Sequence, residues 1–263
     1  MARLSFAEEM KRVAETRAAR RKPIPKEATL AVVVASNRPS DLKDLLQDLL
    51  HQSLPKFEVH LGCHGFTPSA ELKSGISKLT KRGISTTVKR FEKEATLGSI
   101  LSDLARATKT AYVSKMDDDD IYGPNHLSDL ISAILEKKCA VVGRAMNYIY
   151  LEPLDLTVRR FTGVGISEVE LFSDFVCGGT ILVERSYGEK ANWFGSGVTA
   201  VDKHLLDGVR AQSGTIWRTF GAGYIYRRRS NQHTYATNYS KYLEGSSDQW
   251  VGILQGAEFG VRR

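Results

Sequence analysis

The chain has 263 residues, 42% of them hydrophobic and 25% charged, with a formal net charge of +7. That length supports one α/β core with at most a small appendage, and its longest apolar run, residues 30–35, is far too short to span a bilayer. Three well-separated cysteines, Cys63, Cys139 and Cys177, argue against a disulfide framework and against a zinc cluster of CxxC type.

Residues 1–27 hold eight Lys/Arg against four Glu, so +4 of the net charge sits on this segment. Phe6, Met10 and Val13 recur there at helical spacing. Two readings fit: a helix packed on the domain with a solvated charged face, favoured because the apolar stripe is weak, or a basic amphipathic helix making peripheral contact with an anionic membrane. No apolar core of signal-peptide type is present, so the expected location is cytoplasmic, with the inner face of the membrane as the alternative.

Pro23 and Pro25 break this helix. Residues 30–35, rich in valine, read as a central parallel strand buried on both faces. Leu42, Leu45, Leu46, Leu49 and Leu50 then form one helical stripe beginning just after Pro39 and Ser40. Strands at 57–61, 84–88 and 111–116 alternate with helices at 69–82 and around 100–105, and a helix carrying Leu127, Leu130, Ile131, Ile134 and Leu135 follows Pro124. Such alternation predicts an open, mostly parallel sheet flanked by helices. Beyond Ala140 the texture becomes α+β: short strands at 140–142, 147–151 and 180–183, a helix over about residues 199–211, and strands near Ile216 and Tyr224.

The acidic run Asp117, Asp118, Asp119 and Asp120 falls at the carboxyl end of a strand, where open α/β sheets bind ligands. A solvated surface run fits poorly, because the four aspartates join residues 112–116 to residues 121–124 as a short turn between buried elements. A hard divalent cation, held by one or two carboxylates and substrate phosphates, relieves their repulsion.

Lys115-Met-Asp-Asp-Asp-Asp-Ile-Tyr-Gly-Pro-Asn-His-Leu127 resembles the DxD region of family 2 glycosyltransferases of the GT-A fold. Ala35-Ser-Asn-Arg-Pro39 resembles that family's nucleotide-embracing loop, and the leucine helix followed by Gln52 and Pro55 continues the pattern. Cys177-Gly-Gly-Thr-Ile-Leu182 is similar to the glycine-containing acceptor-side segment, Val201-Asp-Lys-His-Leu-Leu206 to the Glu-Asp helix start, and Arg229-Ser-Asn-Gln-His233-Thr-Tyr235 to the late histidine motif. Each match is weak alone; together they stand in family order.

The resemblance implies a GT-A α/β domain over 28–235, with a nucleotide-sugar half at 28–125 and an acceptor half at 126–235, preceded by the basic helix and linker (1–27) and followed by a packed tail (236–263). It places Ser36, Asn37, Arg38, Lys115, Asp117 and Asp118 at the nucleotide, with His64 beside the base. Asp119 and His233 become ligands of Mn²⁺ or Mg²⁺. Asp120, Gly178 and Gly179 fall near the donor sugar and acceptor, and Arg229 on the diphosphate. Asp202 becomes the general base of an inverting transfer; by itself it reads as an ordinary first-turn acid. Two departures stand out: Val201 where the family commonly has Glu, and His64-Gly65 where many members carry Asp.

The implied donor is a nucleoside diphosphate sugar, foremost a UDP-sugar, and the acceptor a polysaccharide, glycolipid or protein. Two other classes compete: a metal-dependent phosphotransfer or nuclease enzyme, and a non-catalytic nucleotide-sugar-binding module. No nucleic acid partner is expected, since the positive excess is concentrated at the N-terminus and no interleaved aromatic and basic stripe is present.

Overall fold

The structure, a computed structural model, describes residues 3–161, 166–167, 169–229 and 239–260. Helix α1 (Phe6–Ala19) opens on a capping box, in which Ser5 and Glu8 satisfy each other's backbone N–H groups. The alternating half follows as β1 (Leu30–Ser36), α2 (Pro39–Leu50), β2 (Glu58–His64), α3 (Ala70–Lys81), β3 (Ser85–Phe91), α4 (Leu97–Ala107) and β4 (Tyr112–Lys115). Next come β5 (Ile121–Tyr122), α5 (His126–Lys137), β6 (Val141–Arg144), β7 (Tyr148–Leu151), β8 (Leu156–Arg160), β9 (Leu171–Phe172) and β10 (Leu182–Glu184). The chain continues through α6 (Arg185–Lys190), α7 (Val201–Arg210), β11 (Ile216–Thr219), β12 (Tyr224–Arg228), α8 (Ser240–Leu243) and β13 (Ser246–Val251).

Eight of these strands form one sheet in the order β3-β2-β1-β4-β10-β6-β11-β9. Its first four strands are parallel, β10 runs antiparallel between β4 and β6, and β9 closes the far edge antiparallel to β11. Strand alternation divides the core. Val32 and Val34 face one side, with the leucines of α2 and the apolar stripes of α3 and α5. Val33 faces the other, with Ile100, Leu101 and Leu104 of α4 and Val201, Leu205 and Val209 of α7. The sheet is therefore covered on both faces.

In a second, five-stranded sheet, β13-β8-β7-β12-β5, the expected strands at 147–151 and near Tyr224 are β7 and β12, whereas β8 and β13 were not visible in the apolar pattern. The reason lies in β8: Arg159 is only 1% exposed, yet it is charged, and burial is tolerated because Glu9 (2.6 Å) and Asp248 (2.8 Å) pair with it. A residue scored as polar thus occupies a buried position. Strand β3 runs to Phe91, beyond the expected 84–88, because it pairs with β2 along its whole length while its edge side chains stay largely exposed.

Helix α1 packs on this second sheet. Val13 is 1% exposed, and Phe6 and Met10 pack with it against Tyr148, Trp250 and Phe259. Arg17 pairs with Asp129 (2.7 Å) and Glu258 (2.6 Å), and Arg20 with Glu136 (2.5 Å) and Glu170 (2.8 Å). The apolar stripe of α1 and two of its cations, Arg17 and Arg20, are thus engaged within the protein, while Lys11 and Arg12 stay exposed. No helix among the described residues is long and apolar enough to cross a membrane.

Candidate active site

A cleft of about 950 Å³ lies over the carboxyl ends of β1, β2 and β4. Strand order creates it, because β4 pairs directly with β1, bringing the loop after Ser36 against the acidic turn. Ser36 Oγ donates to the Asp118 carboxylate and accepts from Arg38 N at 3.0 Å. The Arg38 guanidinium pairs with Asp118 and reaches Asp119 Oδ2 at 2.9 Å and Asp41 Oδ2 at 3.3 Å. Asp118 is 3% exposed, so its main contact is this loop.

Two tyrosines and a glutamine hold the turn. Tyr122 Oη donates to Gly179 O (2.8 Å) and accepts from Asp117 N (2.7 Å). Tyr224 Oη donates to Asp120 Oδ2 (2.6 Å), while Arg227 N reaches its other oxygen at 3.1 Å. With both oxygens engaged and the residue 4% exposed, Asp120 ties the turn to β12. Gln52, fully buried, donates to Gly123 O (3.0 Å) and accepts from Leu127 N (3.0 Å), fastening the turn's exit to the end of α2.

Gly178 and Gly179 lie directly under the carboxylates. A Cβ at Gly178 would stand 2.0 Å from Asp202 Oδ2, and one at Gly179 would stand 2.8 Å and 2.9 Å from the Asp120 and Asp117 carboxylates. Only glycine permits this approach. Asp202, in the first turn of α7, forms an ion pair with Lys115, Oδ1 lying 3.1 Å from Nζ; the same ammonium lies 2.7 Å from Asp117 Oδ1. The loop before Asp202 is anchored on α4, where Gly98 N donates to Gly197 O (2.9 Å) and Thr96 Oγ1 to Ser196 O (2.8 Å).

The cleft thus gathers Asp117, Asp118, Asp119, Asp120 and Asp202 around Arg38 and Lys115, with Lys93, Glu94 and Arg228 also lining it. Negative charge exceeds positive, and the acids respond. Burial lifts the Asp119 carboxyl to about 6 against the pull of Arg38, with Asp117 and Asp118 adding repulsion. Burial likewise raises Asp118 and Asp202, each opposed by its cation, and drives Asp120 well above the carboxylate range with help from Asp119 and Asp117. Among the described residues no three candidate ligands converge into a protein-only metal cage. A divalent cation shared with substrate phosphates needs one or two carboxylates, and an acid-rich cleft with an elevated Asp119 has the donor chemistry for it.

At the other end His64 lines the cleft, its Nε2 2.9 Å from Lys93 O. Asn37 lines it too. Arg229 does not: its guanidinium pairs with Asp41 and Glu152, the latter at 3.2 Å. Strand periodicity explains the difference, because Tyr224, Tyr226 and Arg228 share the cleft face of β12 and residues of the other parity point away. Of the triplet 227–229, Arg228 rather than Arg229 lines the cleft. Alternation along residues 224–228 was the signal that could have identified that face. His233 falls outside the described residues.

An open α/β sheet whose central strand ends in an acidic turn beside a glycine-backed carboxylate is the GT-A glycosyltransferase arrangement. The sequence profile described as Glycosyl transferase family 2 matches residues 30–174, more than half of the chain, and the chain belongs to that family. Comparison with curated proteins gave no match. Among solved structures, the chain is similar to S. aureus TarS 1–349 in complex with UDP-GlcNAc, with a TM-score of 0.60 and 15% identity, covering 82% of this chain and 64% of that one. S. aureus TarS 1–349 alone gives 0.58 and 16% identity over 76% and 60% of the two chains, and its UDP complex 0.56 and 15% over 76% and 60%. The chain spans less than two thirds of these TarS chains, and at such identity the likeness is one of fold.

Proposed function

We propose that the chain transfers a sugar from a nucleoside diphosphate sugar to an acceptor hydroxyl, inverting the anomeric carbon, with the help of Mg²⁺ or Mn²⁺. The observation that carries this reading is that one cleft holds the Ser36–Arg38 loop, the acidic turn and Asp202. TarS has been solved with UDP and UDP-GlcNAc, which favours a uridine diphosphate sugar as donor.

In this reading Asp119, with His233, holds the cation, which when bound neutralises charge on the departing diphosphate. Arg38, and Arg228 on the opposite wall, supply further positive charge to the same group. Asp117 and Asp118 serve the nucleoside side, Asp118 by holding the Ser36–Arg38 loop, and His64 meets the base. Asp202 takes the acceptor's proton as that oxygen bonds to the anomeric carbon and the bond to the diphosphate breaks. Burial raises the Asp202 carboxyl, which makes it a stronger base than a solvated aspartate. The acceptor is a polysaccharide, a glycolipid or a protein.

A thermal-shift screen of nucleoside diphosphates and their sugars, with and without Mn²⁺, tests the reading. Stabilisation by a uridine diphosphate sugar that depends on Mn²⁺, lost in Asp119→Ala, is the expected outcome. No stabilisation by any nucleoside diphosphate would sink it.

A further inference from the structure

Lys115 is a charged residue at the end of a central strand, 2% exposed. Its backbone is fixed by the sheet: β4 pairs with β1 and β10, and Lys115 N donates to Ile181 O at 2.8 Å. An ammonium in this position is tolerable only when paired, since burying an uncompensated charge is severely unfavourable. It has partners from two separate parts of the chain, Asp117 Oδ1 at 2.7 Å and Asp202 Oδ1 at 3.1 Å.

Helix α7, which carries Asp202, begins without a side-chain cap, although the loop before it is held on α4. Its N-cap, Ala200, has a left-handed backbone (φ 56°) and supplies no side-chain cap. The glycine beneath Asp202 leaves that carboxylate room to lean inward, but a bare Cα cannot hold it there. The groups facing Asp202 are Lys115 from β4, Asp117 from the acidic turn and Cys177 ahead of Gly178. Lys115 alone among these three attracts it.

We propose that Lys115 is a positioning residue whose single buried ammonium, shared by Asp117 and Asp202, fixes the base relative to the acidic turn. The donor-side carboxylate and the acceptor-side base then answer to one counter-ion. Whatever draws Asp117 away from Lys115 leaves more of the ammonium to Asp202. This inference rests on Asp202 being the base of the transfer, but its structural half, the shared ammonium, is measurable without turnover.

The test follows the Asp202 carboxyl by ¹³C NMR in protein labelled on aspartate side chains, assigned by Asp202→Asn, and pairs it with kinetics. In Lys115→Met the Asp202 titration should move up by about one pH unit or more, the range expected on losing an adjacent opposite charge. The acid limb of the kcat profile should move with it, with kcat reduced about 100-fold and donor KM within about threefold. Lys115→Arg should recover at least about tenfold of the lost kcat. Should Lys115→Met fail to fold, Asp117→Asn keeps the lysine in place, and losing Asp117's repulsion together with freeing Lys115 should draw the Asp202 titration down. An Asp202 titration unmoved in folded Lys115→Met or in Asp117→Asn overturns the proposal, as does a loss confined to donor binding. Absence of transfer by the wild-type protein alongside a shifted titration would instead overturn the transferase reading and leave the shared ammonium standing.

Discussion

Arg38 Nη1 lies 2.9 Å from Asp119 Oδ2, so a guanidinium covers the carboxylate proposed for the cation. Arg38 is itself held by Asp118 and Asp41, which fixes it over the turn. Cation and guanidinium must compete for Asp119. Arg38→Met is therefore expected to tighten Mn²⁺ binding to the nucleotide-free protein by about tenfold, or about 1.4 kcal/mol. An electron paramagnetic resonance titration of Mn²⁺ measures this directly; weaker binding would show that Arg38 does not oppose the cation.

Asp202→Asn preserves shape and removes the proton acceptor. Loss of a positioned general base is expected to lower kcat by about 10²- to 10⁴-fold, while UDP affinity, read by calorimetry, changes by less than about threefold. Wild-type turnover with intact binding would remove Asp202 from the chemistry.

The 2.0 Å separation between a Gly178 Cβ and Asp202 Oδ2 yields a sharper prediction, because it separates placement from chemistry. Gly178→Ala retains every charged group, yet its methyl must push the carboxylate aside. Displacement by about 1 Å commonly reduces rates about 100-fold. The expected result is a kcat loss of that order, with the metal dependence of UDP binding unchanged. An alanine variant as active as wild type would mean that Asp202 works from another position.

His126 offers a test of the fold through pH. It is fully buried in the first turn of α5, and Arg144 Nε donates to its Nδ1 at 3.1 Å. Burial, then the charge of Arg144, holds its pKa well below the ordinary value, so the native ring stays neutral. Below about pH 6.5 the unfolded chain takes up a proton that the native chain refuses, and stability falls as pH falls. The slope from this one site is at most about 1.4 kcal/mol per pH unit. Urea denaturation at pH 7.5 and pH 5.5 should show a larger acid loss in wild type than in His126→Gln. Equal losses would place the acid sensitivity elsewhere.

Much of the catalytic half was legible without coordinates because its information is local. The valine run of β1, the leucine stripe of α2 and the stripes of α4 and α5 each report burial through a period of two or 3.6 residues, and they became the covered parallel strands and flanking helices. The acidic run was legible for the same reason: four adjacent carboxylates between buried elements are anomalous wherever the chain goes.

The sequence by itself determined that alternation, the place of Asp117–Asp120 at a strand end and the family to which the segments are similar. Tertiary structure decided which groups meet. Lys115 reaches Asp202 only because β10 inserts beside β4 and brings Gly178 under α7. Arg228 faces the cleft while Arg229 pairs with Asp41 and Glu152, and charged Arg159 is buried in a strand that apolar patterning did not reveal. Periodicity records burial of apolar residues, whereas the distant partners that make buried charges such as Arg159 tolerable are set by strand order.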